Sequence, residues 1–349
     1  MTARKPLRLG VAYDFRNPSE SGLSHQQLYA AIMEQVAWLD GLGLDLVWFT
    51  EHHFVEDGYL PSWIPVAAAM AARTKRVRFS CDVCLMPFNH PIRLAEDLAV
   101  LDNISGGRVE IGVGMGYAPH EFRGFGIPLP QRLSRTEEGL EVLRRCFRGE
   151  RFSFHGQRYH FDDVVIRPGY VQPGGPPLWL AAMSRAGAKR AARFDCHLLP
   201  QGPRQDVLDP WLSALAASGR DSTSYRVGII RPCLVSDDPE RDWPAVRAAE
   251  RYRDKLYSRF FAEAGRFQAV DWRGERIPQT WIVGNVEHCV TALSQFIAAH
   301  GITDLVTWGV PPGLRPEQMS SSLERFARDV APRLRAAANR SGDSRSRGD

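Results

Sequence analysis

The sequence predicts an α/β fold: a closed (β/α)8 TIM barrel with insertions after strands four and seven. Three observations lead there. Apolar runs that read as strands alternate with segments of helical periodicity from Leu7 to Arg335. The first connections are short, which implies parallel strands with right-handed crossovers in a sheet either open or closed, and a total of eight strands favours closure. Polar clusters follow apolar strands directly, where an α/β enzyme places its chemistry.

In order, Leu7–Tyr13 is strand one, and a helix follows over about Leu28–Leu42, with Ile32, Val36 and Leu39 on one face and Gly41 and Gly43 ending it. Strand two is Asp45–Phe49, and helix two covers about Ile64–Arg73. Strand three is Val77–Leu85. Pro91 opens helix three at a position that tolerates proline, and the helix runs to about Ile104. Strand four is Arg108–Val113. The glycines of G-V-G-M-G-Y allow a ligand to approach the backbone closely. The run is not G-x-G-x-x-G, and no helix is expected directly after it, so the dinucleotide-fingerprint reading is weak. Helix four spans about Leu133–Phe147, and a hairpin turns around Gly156-Gln157. Leu178–Ala182 is strand five. Ser184 caps a helix to about Phe194, and His197–Leu199 is strand six. A helix over about Val207–Ser218 leads to strand seven, Tyr225–Val235. An arginine-rich helix, about Pro239–Gly265, is expected to present its charges to solvent. A loop over Asp271–Thr280 follows, then a helix over Val286–His300, strand eight at Asp304–Trp308 and a last helix over about Ser320–Arg335. Residues 1–338 form one domain, and the polar tail 339–349 is expected to be disordered.

Composition limits the function classes. The chain has 349 residues, a net charge of +4 and nine tryptophans, which is the profile of a globular protein with a sizeable core. Its arginines are scattered, with no basic stripe interleaved with aromatics, so nucleic acid is not an expected partner. No apolar run is long enough to span a membrane. Met1–Pro6 leads straight into a strand without a signal-peptide core, so a cytoplasmic location is expected. Cys81 and Cys84 form a C-x-x-C, but an odd separation on a strand puts them on opposite faces, and no second C-x-x-C exists. They read as small buried residues, and no metal site is expected.

The stretch Trp48–Pro61, W-F-T-E-H-H-F-V-E-D-G-Y-L-P, carries the densest chemistry. Adjacent histidines on extended backbone point to opposite faces. Imidazole is the side chain suited to proton transfer near neutral pH.

Several segments together carry a resemblance. They are E-H-H-F, L-M-P-F-N-H-P-I-R-L-A-E-D, L-D-N-I-S-G-G-R-V-E-I-G-V-G-M-G-Y, E-F-R-G-F-G, A-A-M-S-R-A-G-A and V-G-N-V-E-H-C. In this combination the chain resembles the bacterial-luciferase-like flavin monooxygenases over about Leu7–Arg335. The resemblance implies reduced FMN at the C-terminal ends of the barrel strands, reacting with O2 to give a flavin hydroperoxide that oxygenates a small organic substrate. It also implies a separate flavin reductase, and a homodimer through helices two and three. Some relatives instead bind a deazaflavin and transfer a hydride, and the fold also allows a flavin-binding protein without turnover.

Site residues follow from that resemblance. His52 is the expected acid–base residue, with Glu51 orienting it; a histidine that merely holds the loop is the alternative. Asp82, Val83 and Cys84 fall where strand three passes under the flavin ring, with a non-proline cis peptide expected between Asp82 and Val83. Gly114, Met115 and Tyr117 fall on the cofactor side of strand four. Met115 stands where bacterial luciferase has an arginine that contacts the flavin phosphate. Arg185 is the substitute cation, forming a phosphate nest with Ser184 and Ala186 at a helix N-terminus. Met183 is expected against the ring. Tyr13, Phe15, His120 and Trp308 are expected to wall the substrate pocket, with ordinary core packing as the competing reading.

Overall fold

The computed structural model describes residues 5–265 and 277–345. Strands β1 (Arg8–Tyr13), β2 (Leu46–Phe49) and β3 (Arg78–Cys81) are laid side by side in parallel, with α1 (His25–Gly41) and α2 (Trp63–Ala71) as crossovers. The chain continues with β4 (Cys84–Leu85), α3 (Pro91–Ser105), β5 (Ile111–Gly114), the short α4 (Pro119–Gly124) and α5 (Arg132–Phe147). An antiparallel hairpin, β6 (Phe152–His155) and β7 (His160–Val164), precedes β8 (Leu178–Ala181), α6 (Arg185–Arg193), β9 (His197–Leu199) and α7 (Gln205–Ala217). Then come β10 (Gly228–Ile230), β11 (Cys233–Val235), the long α8 (Pro239–Glu263), β12 (Ile282–Gly284), α9 (Val286–His300), β13 (Asp304–Trp308), α10 (Pro316–Arg325) and α11 (Ala331–Arg345).

Two larger parallel sheets result, ordered β10-β13-β1-β2-β3 and β4-β5-β8-β9. Single parallel bridges join them at both seams, Phe79 to Val109 and Leu198 to Val227, so the strands curl around one axis. Both faces of the strands are buried: Leu9–Tyr13 and Leu46–Phe49 are apolar or glycine without alternation, as a parallel sheet covered by helices requires. The N-terminal end of the strands is plugged by charge. Arg8 pairs with Glu110 at 2.6 Å and Asp304 at 2.5 Å, Arg78 reaches Glu110 at 2.5 Å, and Arg226 reaches Asp304 at 3.0 Å. The Trp179 indole N–H also donates to Glu110, at 2.8 Å. Burial alone would raise the Glu110 pKa, but Arg8 and Arg78 override it and hold the carboxylate far below its usual range.

The helices start where local chemistry dictates. Ser24 and Gln27 form a capping box on α1, Pro91 opens α3, Ser184 caps α6 through the Gly187 N–H, and Asn285 caps α9. No described helix is long and apolar enough to cross a membrane.

Several expectations need correction. Strand three is not continuous from Val77 to Leu85: it breaks at a cis Asp82–Val83 peptide, β3 pairing with β2 and β4 with β5. A helix does follow the glycine run, with Pro119 in its first turn. Strand seven splits around Pro232, and β11 pairs with β12, a strand whose three residues gave no recognisable pattern. The charges of α8 do not all face solvent, because Glu250 and Arg253 are buried. The last helical segment begins earlier, at Pro316, contains a π-helical turn at Phe326–Val330, and continues through the polar stretch to Arg345. Most of the expected loop Asp271–Thr280 lies outside the described residues.

Candidate active site

The C-terminal ends of the barrel strands surround a cavity of about 380 Å3. Thr50 after β2, Asp82 after β3, Gln201 and Gly202 after β9, Ile230 at the end of β10 and Trp308 at the end of β13 line one side. Helix α8 crosses the mouth and supplies Arg253, Tyr257, Ser258 and Phe261. The Arg253 guanidinium lies 3.8 Å from the centre of the Trp308 ring and is held by Asp14 at 3.3 Å and by Glu250. The volume, with three aromatic walls among polar and charged side chains, is that of a small-molecule site. Gly228 keeps the lining thin: a Cβ there would stand 2.5 Å from Trp48 and 3.0 Å from Trp179.

The histidine loop sits beside this cavity, and its residues diverge as expected. His52 turns under α8, its ring edge-on to Tyr59, Tyr117 and Tyr257 and against Phe260. His53 turns the other way, toward Phe54, Phe88 and Phe125. Glu51 does not orient His52. It lies 3.2 Å from His53 Nε2 and accepts from the Leu85 backbone N–H at 3.2 Å. The partner of His52 is Glu121 of α4, fully buried, with Oε1 2.9 Å from His52 Nδ1 and accepting from the His53 backbone N–H at 2.9 Å. The His52 tautomer with its proton on Nδ1 donates to this oxygen and leaves Nε2 as the free ring nitrogen. His52 itself does not line the cavity. Its neighbour Tyr59 donates to Thr50 Oγ1 at 2.8 Å and lies 2.8 Å from the Tyr257 hydroxyl, and both Thr50 and Tyr257 face the cavity.

Asp82 lies at the lining, half-buried, and the Gln201 amide donates to it at 2.5 Å. Burial pushes its carboxyl up to about 6, against the opposing effect of that hydrogen bond. Val83 packs on β5 where Gly114 leaves room, since a Cβ at Gly114 would stand 2.2 Å from Val83 Cγ2. Cys84 is buried below; it and Cys81 are both free thiols, raised by burial. Met115 and Tyr117 are half-buried on the loop after β5, with Tyr117 stacked on Phe261. Met183, Ser184, Arg185 and Ala186 are exposed at the start of α6.

Of the expected pocket residues, Trp308 alone lines the cavity. Tyr13 and Phe15 do not: Tyr13 is fully buried and its hydroxyl donates to Gln35 of α1 at 2.8 Å, while Phe15 packs on Tyr29. Both belong to the layer between barrel and helices. His120 lies 2.8 Å from Glu263 and packs on Phe260, at the outer end of α8. Residues not anticipated are Glu121, Gln201, Arg253 and Tyr257. Glu121 is the first residue of E-F-R-G-F-G, so the segment was noticed but its role was not.

A second hollow, about 500 Å3, lies outside the barrel between α2 and α3. Glu51 and His53 form part of its lining, with Trp63, Phe88 and Phe125 as aromatic walls.

The fold and site define an α/β barrel with a cavity at the strand ends, walled in part by Trp308, Tyr257 and Phe261. The chain belongs to the luciferase-like monooxygenase family, whose model matches residues 7–303. It is 29% identical over 332 residues to the 4-hydroxyprotoasukamycin monooxygenase of Streptomyces nodosus subsp. asukaensis, covering 86% of each chain. It is 27% identical to the F420-dependent glucose-6-phosphate dehydrogenase of Amycolatopsis mediterranei, covering 87% of this chain and 94% of that one. The crystal structure of the monooxygenase RslO1 from Streptomyces bottropensis superposes with a TM-score of 0.80 at 26% identity, covering 93% of this chain and 99% of that one. The relatives are thus monooxygenases and other oxidoreductases, using either a flavin or a deazaflavin.

Proposed function

We propose that this chain is the oxygenase of a flavin-dependent monooxygenase, a (β/α)8 barrel with insertions after its fourth and seventh strands. It takes reduced FMN from a separate reductase and oxygenates a small organic substrate with O2. The observation that carries this reading is the cavity at the strand ends, lined by Asp82 and Trp308, in a chain that matches monooxygenases over most of its length. The residues fit such a cofactor. Gly114 packs closely on Val83, and the exposed Ser184–Ala186 segment opens α6, whose N-terminal dipole suits a phosphate.

Bound reduced flavin supplies the chemistry of O2 activation. The protein's part is binding, orientation and exclusion of water. Trp308, Tyr257 and Phe261 wall the cavity, and Arg253, fixed by Asp14 and Glu250, holds the Trp308 face. Arg185 supplies the charge that Met115 lacks. His52, with Nδ1 committed to Glu121, exchanges a proton at Nε2, beside the Tyr59–Tyr257 hydroxyl pair.

A second reading is favoured by the F420-dependent relative: hydride transfer with a deazaflavin in the same cavity. Anaerobic titration with reduced FMN and with reduced deazaflavin separates the two. Tighter FMN binding, with substrate-dependent O2 uptake after air is admitted, supports the monooxygenase; deazaflavin preference without O2 uptake replaces it with the dehydrogenase.

The hollow between α2 and α3 supports a homodimer. Phe54, Val100, Ile104 and Phe125 are exposed around or near it, a concentration of large apolar side chains that a second copy would cover. Sedimentation as a monomer at micromolar concentration would remove this part of the reading.

A further inference from the structure

Three hydroxyls meet where α8 crosses the barrel mouth. Tyr59 donates to Thr50 Oγ1 at 2.8 Å, and its oxygen lies 2.8 Å from the Tyr257 hydroxyl. Tyr59 is buried in the middle, whereas Thr50 and Tyr257 both line the cavity. The strand fixes the first of them. Trp48 fills the barrel interior beside Gly228, and a side-chain period of two puts Thr50 on the same inward face, nearer the cavity.

Each hydroxyl has one proton to give and lone pairs to accept with. Tyr59 gives its proton to Thr50, so Tyr257 is the donor in the second contact. The Thr50 proton then goes to no described residue, and the Tyr257 oxygen keeps room to accept. Reversing every proton exchanges the two ends without changing the outcome: one end donates and the other accepts. Burial raises the pKa of both tyrosines, so the run stays protonated and uncharged in the neutral range.

We propose that Thr50 and Tyr257 form a recognition edge for the hydroxyl of a hydroxyarene, and that the substrate of the site belongs to this class. The phenolic O–H accepts from one end of the run and donates to the other, closing the three hydroxyls into a ring of four. A ketone or ether oxygen satisfies only the donating end. The hydroxyl sits on an aromatic ring because the walls suit one: Trp308, Tyr257 and Phe261 line the cavity, and Phe261 is itself stacked on Tyr117 at 5.0 Å. Hydrogen bonds in such a run strengthen one another, so Tyr59 acts through its neighbours as a positioning residue. The proposal rests on the reading of this cavity as a monooxygenase site and adds the chemistry of the substrate.

The test is binding of 2-naphthol and of its methyl ether to the full chain at pH 7.5, with and without saturating FMN, read by equilibrium dialysis. The wild type should bind 2-naphthol about tenfold more tightly than the ether, the range two neutral hydrogen bonds support, and should keep that preference with FMN present. Thr50→Val removes one end of the run and should erase most of the preference, with affinity for the ether largely kept. Thr50→Ser restores the hydroxyl and should recover the preference, and Tyr59→Phe should lose part of it. Equal affinity of the wild type for the two ligands, or no binding of 2-naphthol, overturns the edge, as does a Thr50→Val variant that loses both alike. An unchanged preference in Tyr59→Phe overturns the part given to Tyr59. If Thr50→Val fails to fold, the wild-type comparison still decides. Displacement of 2-naphthol by FMN puts the edge in the cofactor's own site and overturns the substrate class, leaving the cofactor reading standing. A chain that binds neither FMN nor a deazaflavin overturns the cofactor reading instead, and with it the hydroxyarene as a substrate.

Discussion

His52 Nδ1 lies 2.9 Å from Oε1 of Glu121, and the same oxygen holds the backbone N–H of His53. One buried carboxylate therefore fixes both the ring of His52 and the course of the loop that carries it. Its other oxygen is buried with no hydrogen-bond partner among the described residues, so the group is dedicated to this contact.

The first prediction separates the two residues. His52→Ala should lower turnover more than tenfold with flavin affinity largely kept, the scale of a lost general acid–base group. Glu121→Gln keeps the shape but removes the counter-charge of the imidazolium. Turnover should fall roughly three- to tenfold, less than in His52→Ala. Unchanged turnover in Glu121→Gln argues that the glutamate only shapes the loop.

Asp82 makes a prediction about stability. Its folded pKa is raised to about 6, above the unfolded carboxylate value. The folded state therefore holds this proton more tightly, and the resulting stabilisation is full at pH below about 4 and lost as the pH rises through 6. Asp82→Asn removes the ionisation and can still accept from Gln201. Its melting temperature should exceed that of the wild type by roughly 2 °C at pH 7.5, and the gap should close toward pH 4.5. Differential scanning fluorimetry across that range checks it; a constant offset would mean that the carboxylate is not the cause.

What the sequence revealed depended on whether a local pattern existed. Ser184 before a helical run is a cap where one was expected, and the helix expected from Val286 starts there, capped by Asn285. The Asp304–Trp308 strand was bounded correctly because its apolar run stands between turn residues. Tyr13 was misplaced for the opposite reason. A barrel strand is apolar on both faces, so a period of two does not say which side chain faces the helices. Glu121 was missed because its partner is 69 residues away, and a glutamate in a short helix looks like a solvated one. Arg253 and Tyr257 were hidden in a helix rich in charge, whose inner face becomes visible only once α8 is seen across the barrel mouth.

At the other end of the barrel, Glu110 joins Arg8, Arg78 and the Trp179 indole. Removing one member of a buried ion network leaves the others unpaired, at about 3–5 kcal/mol. Glu110→Gln should therefore lower the urea midpoint markedly, while the variant that still folds keeps its flavin affinity, because the plug lies at the end of the strands opposite the cavity. A fall in flavin affinity with unchanged stability would contradict this division of the barrel.

The phosphate end gives the last prediction. Arg185 is exposed beside the Ser184 cap, and Met115 lies half-buried on the loop after β5 without a charge. If the phosphate of FMN binds at the start of α6, charge there acts on FMN but not on riboflavin, which lacks the phosphate. Arg185→Ala should weaken FMN by about fivefold to tenfold, the effect of one lost charge-assisted contact, and leave riboflavin unchanged. Met115→Arg should act in the opposite direction and make FMN binding more sensitive to salt, since an exposed ion pair is screened. Parallel titrations of the two flavins at low and high ionic strength check both variants. Equal loss of FMN and riboflavin in Arg185→Ala would mean that the arginine shapes the α6 cap rather than meeting a phosphate.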